Sequence, residues 1–212
     1  MLGRAGAPHE RRRSWDASVA HARVGCVLLV LLLLSSSSAA SEADEYRAKA
    51  TFLAAFPNFI DWPDAAFASE KAPFVICVFG GFSFGTSLAE LTRGAMAHGR
   101  RIEVRWARKE QELPACHILF VSRSETKRYR SILKTVHAAG VLTVGATPDF
   151  LAHGGVIAFL VQDDRLQFEV NITAADEAHL TIRASMLVLA RHVVRAETAT
   201  GGAVSHGNSQ RD

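Results

Sequence analysis

Short apolar runs alternate with amphipathic segments along most of the chain. Three runs, at residues 74–79, 116–121 and 141–144, are apolar at almost every position and are bounded by glycine or polar turns. This pattern predicts short strands that are covered on both faces. Residues 101–106 alternate between apolar and charged side chains, which predicts a half-exposed strand near a sheet edge.

The segments between these runs have helical spacing. Residues 46–60 place Phe52, Phe56 and Phe59 on one face, and Pro57 should bend or end that helix early. Residues 127–139 are amphipathic and stop at Gly140. Further helices are predicted over residues 86–91 and 148–153, with a closing helix over residues 186–193.

A hairpin is predicted late in the chain. Residues 156–161 and 166–171 alternate on either side of a four-residue polar connection, 162–165. Strands that alternate with helices indicate a mainly parallel sheet. We therefore predict an α/β fold, a single three-layer α/β/α domain over residues 41–195 with a mostly parallel sheet and this late antiparallel hairpin. Residues 196–212 are rich in Gly, Ser, Thr and Asn and are predicted to form a flexible tail.

The first forty residues have the pattern of a secretory signal peptide. Residues 1–23 carry five Arg, residues 24–34 are almost entirely apolar, and small residues follow. Ser38 and Ala40 suit the positions before a cleavage site, so we expect cleavage before Ser41. The apolar run is shorter than the ~20 residues that span a bilayer. An uncleaved membrane anchor remains the alternative.

Charge argues against a nucleic-acid partner. The chain has 24 basic and 21 acidic residues, and residues 1–40 hold five of the basic and two of the acidic ones, which leaves 19 of each in the body. The domain is thus formally neutral, without the overall positive charge that nucleic-acid binding favours. A hydrophobic content of 49% excludes a disordered chain.

Removal of the signal would leave two cysteines, Cys77 and Cys116. In an oxidising compartment such a pair can form a disulfide. Two separate buried thiols are the alternative, because free cysteine is among the most buried residue types. The spacing leaves both open, and export favours the disulfide.

Residues 81–85 match the G-x-S-x-G pattern of a nucleophile elbow around Ser83. Only 42 mature residues precede Ser83, and they lack the strands and the oxyanion-hole loop that such a hydrolase requires. A serine hydrolase therefore stays as an alternative function. Its downstream acid and histidine candidates are Asp163, Asp164, His179 and His192.

Other sites are not indicated. The histidines stand singly, without metal-ligand spacing, so neither a metal nor a cofactor is expected. Trp62, before Pro63, is interpreted as a residue that covers one end of the core, with a partner anchor as the alternative. From the residues alone, the prediction is an exported α/β domain whose default function is binding.

Several segments, in this order and spacing, resemble the YfiR family (the DUF4154 domain). The similarity extends from residue 46 to residue 194. Pro57 and the Phe82-Ser83-Phe84 loop depart from the usual pattern. The matching segments are YRAKATFL (46–53), FIDWP (59–63), FVICVFG (74–80) with Phe84-Gly85, CHILFVS (116–122), VLTVG (141–145), GGVI (154–157), FEVN (168–171) and LTI (180–182) with Met186 and Leu187.

The resemblance implies a non-enzymatic periplasmic protein that represses an inner-membrane diguanylate cyclase similar to YfiN and so lowers cyclic-di-GMP. It also implies an outer-membrane lipoprotein partner similar to YfiB, and a disulfide between Cys77 and Cys116. A second disulfide of some members has no counterpart here. A histidine kinase as the membrane receptor, a small-ligand sensor domain and a homodimer are kept as alternatives. We expect Trp62, Phe82 and Phe84 to contact the partner.

Overall fold

The computed structural model describes residues 42–81 and 84–195. The chain divides into two compact units, residues 1–46 and 47–212. Of the first unit, residues 42–46 are described, and they belong to the first helix. The predicted signal (1–40) with its cleavage point before Ser41, the predicted tail (196–212), and Phe82 and Ser83 lie outside the described residues.

The described part contains ten strands and five α-helices. The first helix, α1, covers residues 42–55. The others are α2 (Ser87–Leu91), α3 (Tyr129–Thr135), α4 (Ile172–Glu177) and α5 (Ala184–Leu187). The strands are β1 (Ile60–Asp61), β2 (Phe74–Phe79), β3 (Met96–Ala97), β4 (Arg100–Ala107), β5 (Ile118–Val121), β6 (Leu142–Gly145), β7 (Ile157–Gln162), β8 (Arg165–Asn171), β9 (Thr181–Ile182) and β10 (His192–Val194). Short 3-10 helices cover Phe56–Asn58, Asp64–Ala66, Glu110–Ala115, Arg123–Arg128 and Pro148–His153.

Eight of these strands form one sheet in the order β10-β8-β7-β6-β5-β2-β4-β3. The pairs from β4 through β2, β5 and β6 to β7 are parallel. Strands β7 and β8 form the predicted antiparallel hairpin, and β3 pairs antiparallel with β4. Strands β1 and β9 make a separate antiparallel pair. The predicted α/β class with a mostly parallel sheet is confirmed.

Helices cover both faces of this sheet. On one face, α3 contributes Tyr129 and Ile132 to a core cluster with Cys77 of β2 and Leu119 of β5. On the opposite face, the rings of Phe52 in α1 and of Phe56 in the turn after it lie 5.5–6.0 Å from those of Phe159 and Phe168 in β7 and β8. Successive side chains of a strand point to opposite faces of the sheet. The core therefore has two parts, which we call the α3 side and the α1 side.

Two turn predictions are refined. Helix α1 ends at residue 55, and Pro57 lies in the following 3-10 turn, as the proline predicts. The predicted four-residue connection of the hairpin is wrong, because the strands continue to Gln162 and resume at Arg165. Asp163 and Asp164 alone form the turn, with φ values of 51° and 55°. Two left-handed residues match the twist of a hairpin.

The predicted closing helix over residues 186–193 is also wrong. Helix α5 covers only four residues and ends at Leu187. Afterwards the Arg191 N–H donates to the Phe168 carbonyl at 2.9 Å, and β10 pairs in parallel with β8. The edge of β8 satisfies backbone groups that a longer helix would have satisfied internally. The two β-branched residues at the end of β10 also favour a strand.

Candidate functional site

An apolar groove lies where α1, β8 and α5 meet. It encloses about 220 Å³ and its walls are almost entirely apolar. We call it the apolar groove; its lining residues are Thr51, Phe52, Ala55, Phe56, Phe59, Phe168, Met186 and Leu189. Concave apolar surfaces of this kind bind apolar groups of a ligand or partner.

The irregular ends of two helices create this groove. The 3-10 turn after α1 contains Pro57 and turns the chain toward Phe59, while α5 stops after one turn. Beyond α5, Val188 is 83% exposed and Leu189 is 64% exposed. If α5 continued, Val188 and Leu189 would lie in different positions. The shape of the groove therefore depends on the end of α5 at Leu187. The rim therefore presents apolar side chains to solvent instead of to the core.

One ion pair connects the two chain segments that flank the groove. Arg183, just before α5, donates to both carboxylate oxygens of Asp61 in β1, at 2.7 and 3.2 Å. It also donates to the Asn58 carbonyl at 3.1 Å. The hydrogen bond from Arg183 holds the pKa of Asp61 below its usual value. Both side chains are about half exposed. We therefore infer that the pair mainly holds the two flanking segments in position and adds little to stability.

Two of the predicted contact residues, Trp62 and Phe84, lie outside the groove lining. Trp62 is only 9% exposed and Phe84 only 2%. The Trp62 ring packs edge-on against Phe74 at 4.9 Å, and Phe84 packs against Phe120 at 4.8 Å. The core interpretation of Trp62 is thus the one that the structure supports. Partner contact through Trp62, Phe82 or Phe84 stays a prediction, and the described geometry offers no exposed ring at Trp62 or Phe84 for it.

Sequence reasoning missed the groove, although a signal for it existed. The apolar residues from 186 to 193 predict one closing helix. Val188 and Leu189 are consecutive, and i and i+1 positions on a helix do not share a face. That conflict could have indicated an exposed apolar segment.

Cys77 and Cys116 form a disulfide with a Cα–Cα separation of 5.8 Å. Both residues are buried in the core cluster on the α3 side of the sheet. The groove lies on the α1 side. The disulfide therefore fastens β2 to the segment before β5 without lining the groove.

His117 follows Cys116 and is the centre of an aromatic cluster. Its imidazole stacks on Phe67 and Phe74, with ring centroids 4.5 and 4.9 Å away. Its Nδ1 atom accepts the Val75 N–H at 2.9 Å. Burial lowers the pKa of His117 to about 4, and the positive charges of two nearby Arg side chains act in the same direction.

The serine-hydrolase alternative meets a geometric difficulty. Gly81, at the start of the motif, lies beyond the carboxyl end of β2. His192 lies on β10, five strand positions from β2 in the sheet order, or about 24 Å at the usual strand spacing. Asp163 and Asp164 lie at the tip of the β7–β8 hairpin, about 14 Å from β2 by the same measure. These residues do not converge on the end of β2.

The glycine directly before that motif has a structural explanation. Gly80 has a φ of +97°, and a side chain there would come within 3 Å of Ser122, Ser124 and Glu125. The Gly81 N–H donates to Ser124 Oγ at 2.9 Å. The loop after β2 lies this close to the loop after β5, so the turn requires glycine at position 80.

Residues 42–81 and 84–195 lack two further features. They hold no group of three His, Cys, Asp or Glu side chains arranged to bind a metal ion. No helix among them has the length and apolar character needed to cross a bilayer.

Comparison with known proteins gives one broad match. The family model DUF4154, described as YfiR/HmsC-like, matches residues 46–191. No curated protein sequence matches significantly. Among solved structures, a conserved domain protein from Vibrio cholerae O1 biovar eltor is 15% identical with a TM-score of 0.42, over 57% of this chain and 55% of that one.

A second solved structure is the ABC domain in complex with L-Trp from Streptococcus pneumonia. It is 12% identical with a TM-score of 0.43, over 57% of this chain and 55% of that one. The alignments span about half the length of each solved chain. Both likenesses are too distant to carry functional information.

Proposed function

Because the chain belongs to the YfiR/HmsC-like (DUF4154) family, a regulatory and non-enzymatic family that acts in the periplasm, we propose that it represses an inner-membrane signalling protein by binding its periplasmic part. The preferred receptor is a diguanylate cyclase similar to YfiN, whose repression lowers cyclic-di-GMP. A histidine kinase is the alternative receptor. A lipoprotein similar to YfiB is proposed as a competing partner.

The apolar groove is the observation that supports a binding site. Its walls accept apolar side chains, and Leu189 is exposed at its rim. Interfaces take most of their affinity from a few such anchors in well-packed pockets. We therefore propose that apolar side chains of the receptor's periplasmic part insert into the groove, beside Val188 and Leu189.

Repression then requires only a preference for one receptor state. A binder shifts a two-state receptor from mostly active to mostly inactive when it binds the inactive state about 10⁴-fold more tightly. Equal affinity for the two states would leave the output unchanged. The receptor surface that enters the groove should therefore differ between its states.

A matched pair of variants tests the proposal. Leu189→Asp places a charge at the rim of the groove, and Met96→Asp places one on a side chain of similar exposure, 59%, at the opposite edge of the sheet. Wild type and Met96→Asp should restore low cyclic-di-GMP in a strain that lacks this gene. Leu189→Asp should not restore it, and should bind the purified periplasmic part of the receptor at least ~10-fold more weakly.

A second groove variant avoids added charge. Ala55→Leu should fill part of the cavity from α1 and weaken the same interaction. All variants should retain the wild-type unfolding temperature, which confirms that they fold. The proposal is wrong if both groove variants repress the receptor as well as wild type does. Labelling of Ser83 by a fluorophosphonate probe, with ester turnover lost in Ser83→Ala, would instead support the hydrolase alternative.

A further inference from the structure

A strap covers the amino ends of the central strands. We use this name for residues 62–73, which connect β1 to β2 and contain only a single 3-10 turn. All twelve strap residues are described, and Trp62 is the one that is buried. The strap is therefore a thin layer with few core contacts, the kind of segment that opens locally before the rest of a domain.

Besides the packing of Trp62 against Phe74 and His98, three groups of contacts to His117 and Arg100 hold the strap in place. The Trp62 Nε1–H donates to the His117 carbonyl at 3.3 Å. The Phe67 ring lies between the His117 imidazole, at 4.5 Å, and the Arg100 guanidinium, at 4.0 Å. Arg100 also donates to the strap carbonyls of Ser69 and Ala72 at 2.6 and 2.9 Å. His117 thus takes part in two of these groups, once through its backbone carbonyl and once through its imidazole.

The hydrogen bond that His117 Nδ1 accepts shows that the ring is neutral and where its proton lies. A backbone N–H is always a donor, so the Nδ1 atom that accepts from Val75 carries no proton. The proton of neutral His117 is therefore on Nε2. That atom is buried and has no hydrogen-bond partner. The Ala66 backbone acts in the opposite direction to burial and favours the charged ring.

We propose that His117 is an acid-sensitive latch: protonation of Nδ1 breaks its bond to Val75, displaces the ring from Phe67 and Phe74, and releases the strap. A protonated Nδ1 would direct a second N–H at the Val75 N–H across a contact of 2.9 Å. Two donors repel each other at this distance. The charged ring must leave its position to find water, and Phe67 must move with it.

The positive charges around His117 also oppose its protonation. Arg100 and Arg105 on β4 both oppose a positive charge on His117. His98, in the β3–β4 turn, packs against Trp62 and Phe74 at 5.6 and 6.1 Å. The charged strap residues, Asp64, Glu70 and Lys71, are exposed. The charged side chains that act on the ring from its own sheet are therefore cationic.

Hydrogen exchange of the exported, oxidised protein tests the latch. With the intrinsic exchange rates corrected for pH, the opening equilibrium of residues 62–73 should rise about tenfold for each pH unit from 6.5 down to about 4. Protection of β5, residues 118–121, should persist over the same range. Equal loss of protection in both segments would mean global unfolding and would overturn the proposal.

Two substitutions to asparagine separate the latch from the other histidine. His117→Asn keeps an acceptor for the Val75 N–H but does not titrate, so its strap exchange should not depend on pH. His98→Asn should retain the wild-type dependence, since Asn tolerates the φ of 50° found at His98. The same pH dependence in His117→Asn as in wild type would overturn the latch.

A measurement on the wild type covers the case in which His117→Asn fails to fold. Nuclear magnetic resonance of the imidazole should find the neutral ring protonated at Nε2. Its titration should coincide with strap opening, with a midpoint below pH 5. A neutral ring protonated at Nδ1, or a midpoint near 6.5, would overturn the proposal.

Discussion

Loss of the Cys77–Cys116 disulfide should lower the free energy of unfolding by about 4 kcal/mol. The bond joins positions 39 residues apart in sequence. In the loop-entropy description, closing a loop of about 40 residues restricts the unfolded chain by about this amount. The closed loop contains α2, β3 and β4, so without the bond these elements depend on strand pairing and packing alone.

Urea denaturation, followed by circular dichroism, measures the effect. Oxidised protein should be compared with reduced protein and with the double variant Cys77→Ala/Cys116→Ala. For a domain of this size, a loss of about 4 kcal/mol corresponds to a decrease in unfolding temperature of roughly 8–16 °C. Because the bond acts mainly on the unfolded state, the near-ultraviolet spectrum of the native protein should change little on reduction.

A cycle of single and double variants separates the loop constraint from packing. Cys77→Ala alone already opens the loop, so it should show most of the loss. Adding Cys116→Ala should add only the smaller cost of a cavity beside the core cluster. If oxidised and reduced proteins unfold within about 1 kcal/mol of each other, the loop-entropy reasoning is refuted for this protein.

Three further predictions concern individual side chains. Gly145→Ala should destabilise by about 1–3 kcal/mol in thermal unfolding, because its Cβ would overlap the buried Phe150 ring. Tyr129→Phe should cost about 1 kcal/mol in the same assay through loss of the 2.9 Å hydrogen bond to Thr147. The unfolded chain protonates His117 at a higher pH than the native one does, so native stability should fall by up to about 3 kcal/mol as pH decreases from 6.5 to about 4. Wild-type pH dependence in the urea denaturation of His117→Asn would contradict this last prediction.

Local patterns predicted the centre of the sheet well. The apolar run at residues 74–79 became β2 with identical bounds, and all six of its side chains are buried. The alternating segment at 101–106 became β4, whose outward side chains are exposed. Burial on one or both faces imposes these patterns directly on the sequence, so they could be read without knowledge of any partner strand.

Pairing between distant segments could not be read in this way. Strand β10 depends on the free edge of β8, and β1 depends on β9, whose paired residues come 120 and 122 positions later. The groove combines side chains of α1 with Leu189, and the role of His117 depends on a backbone N–H 42 residues earlier. None of these dependences leaves a periodic signal, because each rests on contacts between remote positions.

Under the proposed function, the two faces of the sheet have different roles. On the α3 side, the disulfide ties β2 to the segment before β5, and Tyr129 of α3 packs edge-on against Phe150 at 4.7 Å within the core cluster. On the α1 side, the groove is bounded by a helix of one turn and an exposed segment at Leu189. A charge at this rim removes little buried surface, so it should change affinity without unfolding the domain. A substitution on the α3 side should instead change stability, and it should alter repression only as far as it lowers the amount of folded protein.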